Sequence, residues 1–210
     1  MENRVETNKV ACIHAAHETK FASACAHHHF EKATEMLSDE HRVIERVLAV
    51  LEKLTQTPVE SSIENWKKAL VFFRHFADQC HHFKEEKVLF PAMEEHGIPR
   101  DGGPIGMMLV EHEEGRGHVK SMLAAMALVE AKNEAAKEIL LDNARAYIRL
   151  LREHIQKEDE VLFRIADDVI PPDGQKELVR SFEKHEAEEM GTGEHEKYLK
   201  IAEELEAKTP

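Results

Sequence analysis

The sequence places a histidine and an acidic residue four positions apart in three separate segments that have the pattern of helices. These pairs are His41/Glu45, His82/Glu86 and His154/Glu158. A fourth segment contains His112, with Arg116 at the same offset. Side chains four residues apart lie on one face of a helix, one turn from each other. Each pair can therefore reach one metal ion or one pair of metal ions.

These polar residues interrupt stripes of apolar residues that recur every three or four positions, a spacing that predicts a buried helix face. In the first segment the stripe runs through Leu37, Ile44, Leu48 and Leu51, and His41 stands within it. Burying an unpaired carboxylate is costly, so buried charges are paired or bind metal. Four helices that bring such groups into one core indicate one shared partner. Imidazole with carboxylate favours iron or manganese over ions that prefer thiolates.

Capping residues and helix breakers predict five helices and no strand. The helices are expected at about 34–55, 61–96, 105–131, 134–168 and 174–205, and the last is expected to be interrupted at Gly191-Thr192-Gly193. Because the first four are joined by short loops, consecutive helices should be antiparallel neighbours. We therefore predict an all-α fold, an up-down-up-down four-helix bundle with an irregular N-terminal arm and an additional C-terminal helix. The domain boundaries are a Cys/His-rich arm at 1–32, the bundle at 33–170 and the helical extension at 171–210.

An internal repeat relates the second and fourth helices. Residues 81–99 read HHFKEEKVLFPAMEEHGIP, and residues 153–172 read EHIQKEDEVLFRIADDVIPP. Both contain His, three residues, Glu and then Val-Leu-Phe, although the second copy carries one extra residue before its Val-Leu-Phe. On this comparison Glu86 and Glu158 come from equivalent helices, and we predict that they bridge two metal ions.

Taken together, these segments resemble the hemerythrin-like (HHE cation-binding) family. The resemblance covers about residues 34–168 and is carried, in order, by DEHRVIERVL, HHFKEEKVLFP, EHEEGR and EHIQKEDEVLF. It implies two iron (Fe) ions per chain with an oxo or hydroxo bridge. The ligands that it implies are His41, His82, Glu86, His112, His154 and Glu158.

One position departs from the pattern of the oxygen-carrying hemerythrins. They have a second histidine one turn after the ligand of the third helix, and Arg116 stands there in this chain. The set is more similar to bacterial HHE proteins and iron–sulfur-cluster repair proteins, which weighs against simple reversible oxygen carriage. Glu45 is counted among the candidate metal ligands, because it would replace the missing histidine. It is otherwise a residue that supports a ligand, or part of an ion pair on the helix surface, for example with Arg116.

The remaining histidines are expected to play lesser parts. His81, His96 and His118 fall off the stripes, so we predict that they are solvated. His75 is on the stripe of the second helix, and we predict a core or supporting role for it. The Cys/His-rich arm lacks the regular spacing of a zinc finger and is better interpreted as a lid than as a second metal site.

Charge and cysteine usage limit the partners and the compartment. The formal net charge of −13 opposes binding to nucleic acid or to an anionic membrane surface. No apolar run reaches the length of a bilayer span, and the N-terminus lacks the apolar segment of a signal peptide. Three cysteines without a framework favour a reducing, cytoplasmic location. The sequence leaves open an oligomer and a redox or regulatory protein partner.

Three functional hypotheses follow. The first is a non-haem di-iron protein that binds, senses or reacts with oxygen, peroxide or nitric oxide. The second is an enzyme that donates iron, repairs iron–sulfur clusters or decomposes peroxide. The third is a structural bundle in which a metal ion holds the helices together. The sequence does not decide between sensor, carrier and enzyme.

Overall fold

The computed structural model describes residues 30–191 and 193–209, and every regular element in these ranges is helical. Only residues 30–32 of the predicted N-terminal arm fall within them, so the arm itself lies outside the described residues. We label the helices α1 (Ala33–Leu54), α2 (63–95), α3 (Pro104–Glu130), α4 (135–169), α5 (Pro172–His185) and α6 (Glu194–Lys208). A short 3-10 turn, Val59–Ser61, precedes α2.

The predicted fifth helix is two helices, because two glycines break it. Gly191 and Gly193 have φ angles of 98° and 86°, a region that residues with a Cβ rarely adopt. The predicted bounds of the other helices agree with the structure to within a few residues. None of the described helices is long and apolar enough to cross a membrane.

The long helices α2 and α4 change their winding in mid-course. Parts of them form π-helix, in which each backbone carbonyl bonds five residues ahead instead of four. These parts are Phe73–His82 and Glu85–Leu89 in α2, and Glu158–Leu162 in α4. Each π turn accommodates an extra residue, so it rotates the side chains that follow relative to a regular α-helix. In these π-helical parts, residues three and four positions apart therefore do not mark the buried face of the helix.

Helices α1 to α4 enclose a common core. The helix α1 packs against α2 and α4, and α3 packs against the same two helices. The C-terminal helices cover one side of this group, since α5 contacts α1 while α6 contacts α1 and α2. Helices α5 and α6 therefore cover the side of the bundle that α1 and α2 form.

The core consists of two apolar clusters with a polar layer between them. One cluster includes Leu37, Phe90 and Phe163, and the other includes Leu48 and Phe73. Along α1 and α3 the chain passes from the first cluster to the second, whereas along α2 and α4 it passes in the opposite sense. The polar residues of each helix stand where it crosses between the clusters.

The contribution of α6 to this core can be tested with two Leu→Ala substitutions. Leu205 of α6 is fully buried, whereas Leu128 of α3 is 47% exposed. Because Leu205→Ala opens a cavity, we expect it to lower the free energy of unfolding by about 2–5 kcal/mol. Leu128→Ala should change it by less than about 0.5 kcal/mol. Urea denaturation followed by circular dichroism measures both. Equal effects of the two substitutions would contradict the packing of α6 on the core.

Candidate metal centre

Buried imidazoles and carboxylates from α1 to α4 converge in the polar layer. They form two overlapping groups in which the prospective ligand atoms lie within 4.8 Å of one another. The first group consists of His41, His81, Glu85 and Glu158, and the second of His82, Glu85, His112 and His154. Glu85 belongs to both groups, so seven side chains take part, and every one of them is buried.

The two carboxylates stand in the middle of the cluster, each between imidazoles of the two groups. One oxygen of Glu158 lies 3.3 Å from Nε2 of His41 and 3.2 Å from Nε2 of His154. The oxygens of Glu85 have the same relation to the other pair, with distances of 3.5 Å and 3.4 Å to Nε2 of His81 and of His112. Each of these two carboxylates therefore lies within reach of imidazoles from both groups.

The innermost polar atoms of the cluster lack hydrogen-bond partners among the described residues. They are Nε2 of His41 and of His81, both nitrogens of His82, and all four oxygens of Glu85 and Glu158. Each buried polar atom left unpaired costs about 1–3 kcal/mol. So many unpaired donor atoms facing one place are hard to explain as a hydrogen-bond network. They fit a site whose bonds are made to metal ions.

The ionisation of the two carboxylates supports the same interpretation. Burial, together with the neighbouring Glu158 carboxylate, raises the pKa of Glu85 well above its ordinary value. Burial alone would also raise the pKa of Glu158, but the contacts with His154 and His41 lower it well below the ordinary range. Two carboxylates this close do not both ionise readily without cations. A pair of metal ions would supply that charge.

The outward-facing nitrogens of four histidines are each held by a carboxylate. Nδ1 lies 2.7–3.0 Å from a carboxylate oxygen in the pairs His41–Asp159, His112–Glu86, His81–Glu40 and His154–Glu111. A histidine that donates from Nδ1 presents the lone pair of Nε2 on the opposite edge of the ring. Carboxylates in this position orient metal-binding imidazoles and raise their basicity. The tautomer needed for metal binding is thus set from outside the cluster.

These contacts repeat between the α1–α2 hairpin and the α3–α4 hairpin. Glu40 and His41 correspond to Glu111 and His112, and His81, Lys84, Glu85 and Glu86 correspond to His154, Lys157, Glu158 and Asp159. In both halves the lysine bonds to the glutamate that holds the neighbouring histidine. His82 breaks the symmetry, since Ile155 stands at its place in the second half.

Two predicted ligands lie outside both groups. The Glu86 carboxylate accepts hydrogen bonds of 2.7 Å from His112 Nδ1 and from Arg116, and these contacts lower the pKa of Glu86 to about 2 despite its partial burial. Glu45 is half-buried, and its nearest cation is Arg152, at 3.5 Å. Arg116 pairs with Asp78 as well as with Glu86. Among the described residues Glu45 thus forms an ion pair with Arg152, and its role as a metal ligand stays a prediction.

The prediction that His81 is solvated is wrong, because only 1% of its surface is exposed. The stripe with α-helical spacing assigned only His82 to the buried face, whereas His81 and His82 are both buried at the end of the π-helical stretch Phe73–His82. His96 is exposed, as predicted. His75 is on the periphery, where it contacts Gln79 at 2.7 Å and stacks on Tyr198.

One signal in the sequence identifies the central carboxylate of α2. When the repeat is aligned on its two Val-Leu-Phe segments, no extra residue is needed. Glu85 then corresponds to Glu158, and His81 to His154. Aligning on His82 and His154 instead moves the comparison by one position and selects Glu86.

The fold and the cluster define an all-α protein with a buried His/carboxylate centre, and comparison with known proteins gives the family. Residues 32–166 match the model of the hemerythrin HHE cation-binding domain. The chain belongs to this family. It is also 27% identical over 162 residues to uncharacterized proteins of Mycobacterium bovis and Mycobacterium tuberculosis, across 76% of this chain. The match spans 63% of the length of these relatives. No solved structure matches the chain.

A third group of possible ligands is occupied by an ion-pair cluster. Glu40, Glu186 and His195 lie close together at the side of α1, but Nζ of Lys84 bonds to both carboxylates. Lys84 is fully buried, and the surrounding carboxylates raise its pKa although burial opposes this. Its counterpart Lys157 is 35% exposed. The two halves therefore hold equivalent lysines in different surroundings.

The two lysines give a matched pair for mutation. We expect Lys84→Met to lower the free energy of unfolding by about 3–5 kcal/mol, because it leaves buried carboxylates uncompensated. Lys157→Met should cost about 0–1 kcal/mol, since that pair is partly solvated. Denaturant unfolding of the metal-free variants measures both. A loss for Lys84→Met no larger than that for Lys157→Met would show that this ion-pair cluster does not hold the helices together.

Proposed function

We propose that this protein holds a pair of iron ions in the buried cluster and that the centre binds, senses or reacts with a small oxidant such as oxygen, peroxide or nitric oxide. The observation that carries the proposal is the set of unpaired donor atoms on Glu85, Glu158 and the surrounding histidines. Their number and their convergence from four helices suit a dinuclear centre better than one ion.

The ligands are assigned from the two groups. One ion would be held by His41 and His81, and the other by His82, His112 and His154, with the carboxylates of Glu85 and Glu158 within reach of both. Glu85 would take the role that the sequence predicts for Glu86. The imidazole and carboxylate set favours iron or manganese, and Cys80, which is buried, belongs to neither group.

Each outer residue has a definite task in this proposal. Glu40, Asp159, Glu86 and Glu111 hold the Nδ1 protons of the ligand histidines and fix the orientation of the rings. Arg116 fixes Glu86 in turn, through a hydrogen bond of 2.7 Å. When bound, the iron pair supplies redox chemistry and open positions for a small ligand. The apolar clusters on both sides limit access of water to the centre.

The alternative of a purely structural metal site is disfavoured by a cavity. Structural sites are closed, whereas reactive sites keep an open position. A cavity of about 350 Å³ reaches His82, one of the assigned ligands. This access favours a centre that meets a small molecule, and it is equally compatible with the enzymatic hypotheses of peroxide decomposition, iron donation or cluster repair.

We also propose an up-down-up-down arrangement for α1 to α4, because the chain crosses between the two apolar clusters in alternating directions. The division into an arm at 1–32, a bundle at 33–170 and an extension at 171–210 stays a prediction. So do the cytoplasmic location, an oligomeric state and a redox or regulatory protein partner.

Metal analysis with spectroscopy tests the proposal directly. We expect the protein loaded anaerobically with ferrous iron to contain about two ions per chain. Its near-ultraviolet absorption should change on addition of oxygen or peroxide, and chelation should lower its melting temperature. Elemental analysis, absorption spectra and thermal unfolding provide the readouts. Failure to bind iron, or a spectrum indifferent to every oxidant tried, would reject the di-iron proposal in favour of a structural role.

Two neighbouring glutamates test the assignment of the bridge. We expect Glu85→Gln to lose most of the bound iron, because it removes a charge shared by both ions. Glu86→Gln should retain iron, with its affinity lowered by about 10- to 100-fold through the loosened His112 ring. Iron content after dialysis against a weak chelator compares them, and His96→Ala serves as an exposed control. Full loading of Glu85→Gln, with loss in Glu86→Gln, would restore the ligand set predicted from the sequence.

A further inference from the structure

A cavity between α2, α3 and α4 adjoins the candidate centre on one side. Its volume of about 350 Å³ lies within the range of small-molecule sites, roughly 300–1,000 Å³. The cavity is far larger than a diatomic molecule requires. His82, which stands at its buried end, links it to the metal cluster.

The buried end of the cavity combines apolar surface with two polar side chains. Phe73 and Val119 supply apolar walls. Tyr147, which is only 2% exposed, also lines the cavity. Both nitrogens of His82 lack a hydrogen bond among the described residues, although Nδ1 faces a carboxylate oxygen of Asp78 at 3.6 Å. A polar atom of a ligand at this end would therefore have hydrogen-bonding groups within its reach.

The equivalent place in the other half of the bundle is filled. Gly115 stands three residues after His112, and Ile44 stands three residues after His41. His82 likewise occupies the position of Ile155. Both isoleucines are buried in the apolar core. The place related to this cavity by the repeat, between α4, α1 and α2, therefore lacks both the space at Gly115 and the imidazole of His82.

The outer part of the cavity is positively charged in a chain whose net charge is −13. Arg116 is already shared by the carboxylates of Asp78, Glu86 and Glu113. Arg74 and Lys120 also line the cavity, are exposed, and form no ion pair among the described residues. These two cations are available for a negative charge on a ligand.

We propose that this cavity binds a small organic anion, with its acidic group at Arg74 and Lys120 and its apolar body against Phe73 and Val119, beside the metal centre. A polar atom at the inner end of the ligand would meet Tyr147. The inference deepens the proposed function by naming a class of co-substrate or effector for the same centre. The cavity proposal rests on the proposed di-iron function only through His82, which lines the cavity and also belongs to the candidate metal centre.

Benzoate is the probe, and benzamide is its uncharged match. We expect calorimetric titration of the metal-free protein at low salt to show benzoate binding that is at least about tenfold tighter than benzamide binding. The double variant Arg74→Gln/Lys120→Gln should lose this preference, and because both side chains are exposed it should fold normally. Equal binding of the two probes to the unaltered protein would overturn the assignment of an anion site.

Two glycines of α3 test the location. A Cβ at Gly115 would lie 3.5 Å from the Tyr147 ring, whereas a Cβ at Gly117 would meet nothing within 4 Å. Gly115→Val should therefore weaken benzoate binding about tenfold or more by filling the cavity, while Gly117→Val should leave it unchanged. Circular dichroism checks that both variants are folded. Unchanged binding in folded Gly115→Val would place benzoate elsewhere and overturn the proposal.

Iron content, measured on the same samples, separates the two proposals. Benzoate binding without any iron loading would reject the di-iron function and support the cavity proposal. Iron loading without benzoate binding would support the di-iron function and reject the cavity proposal. Binding that requires iron and is indifferent to Arg74 and Lys120 would mean that the carboxylate attaches to the metal alone, which also overturns the cavity proposal.

Discussion

The closeness of two buried carboxylates, Glu85 and Glu158, is the constraint on which the rest of the structure depends. None of the four carboxylate oxygens has a hydrogen-bond partner among the described residues. The negative charge of Glu158 also makes ionisation of Glu85 less favourable. Such a pair is stable in a core only when cations or protons compensate it. The imidazoles around it and the carboxylates behind those imidazoles follow from this requirement. Four helices are needed because no single helix face presents enough nitrogen atoms in one place.

The sequence was sufficient for the class of fold and for most of the histidines of the cluster. Apolar spacing and helix breakers gave the helices, and His41, His82, His112, His154 and Glu158 all lie in the two groups. The choice between Glu85 and Glu86 could not be made from α-helical spacing, because α2 is π-helical just before and at this point. A local change of winding is decided by tertiary contacts and leaves little trace in a periodic pattern. The burial of His81 was missed because a stripe of three- and four-residue spacing selects only one of two adjacent histidines, whereas both are buried.

Comparison of the two repeated hairpins distinguishes the residues that both halves of the centre share from the residues that occur in one half only. Glutamate, histidine and lysine recur in both halves with the same contacts, so they define the framework. Gly115, His82 and Asp78 do not recur, since the other half has Ile44, Ile155 and Leu151 at the corresponding offsets. The residues that differ are those that make the cavity.

The placement of α5 and α6 makes the two halves of the centre inequivalent. These helices cover the side of Glu40 and Lys84, where the lysine is fully buried, and leave Glu111 and Lys157 partly exposed. In the proposed di-iron centre, an ion beside His81 would lie on the side that the C-terminal helices cover, whereas an ion beside His154 would lie on the side that they leave uncovered. Two such positions would fill and empty at different rates, so that a half-loaded protein would be a defined species with one slow and one fast site.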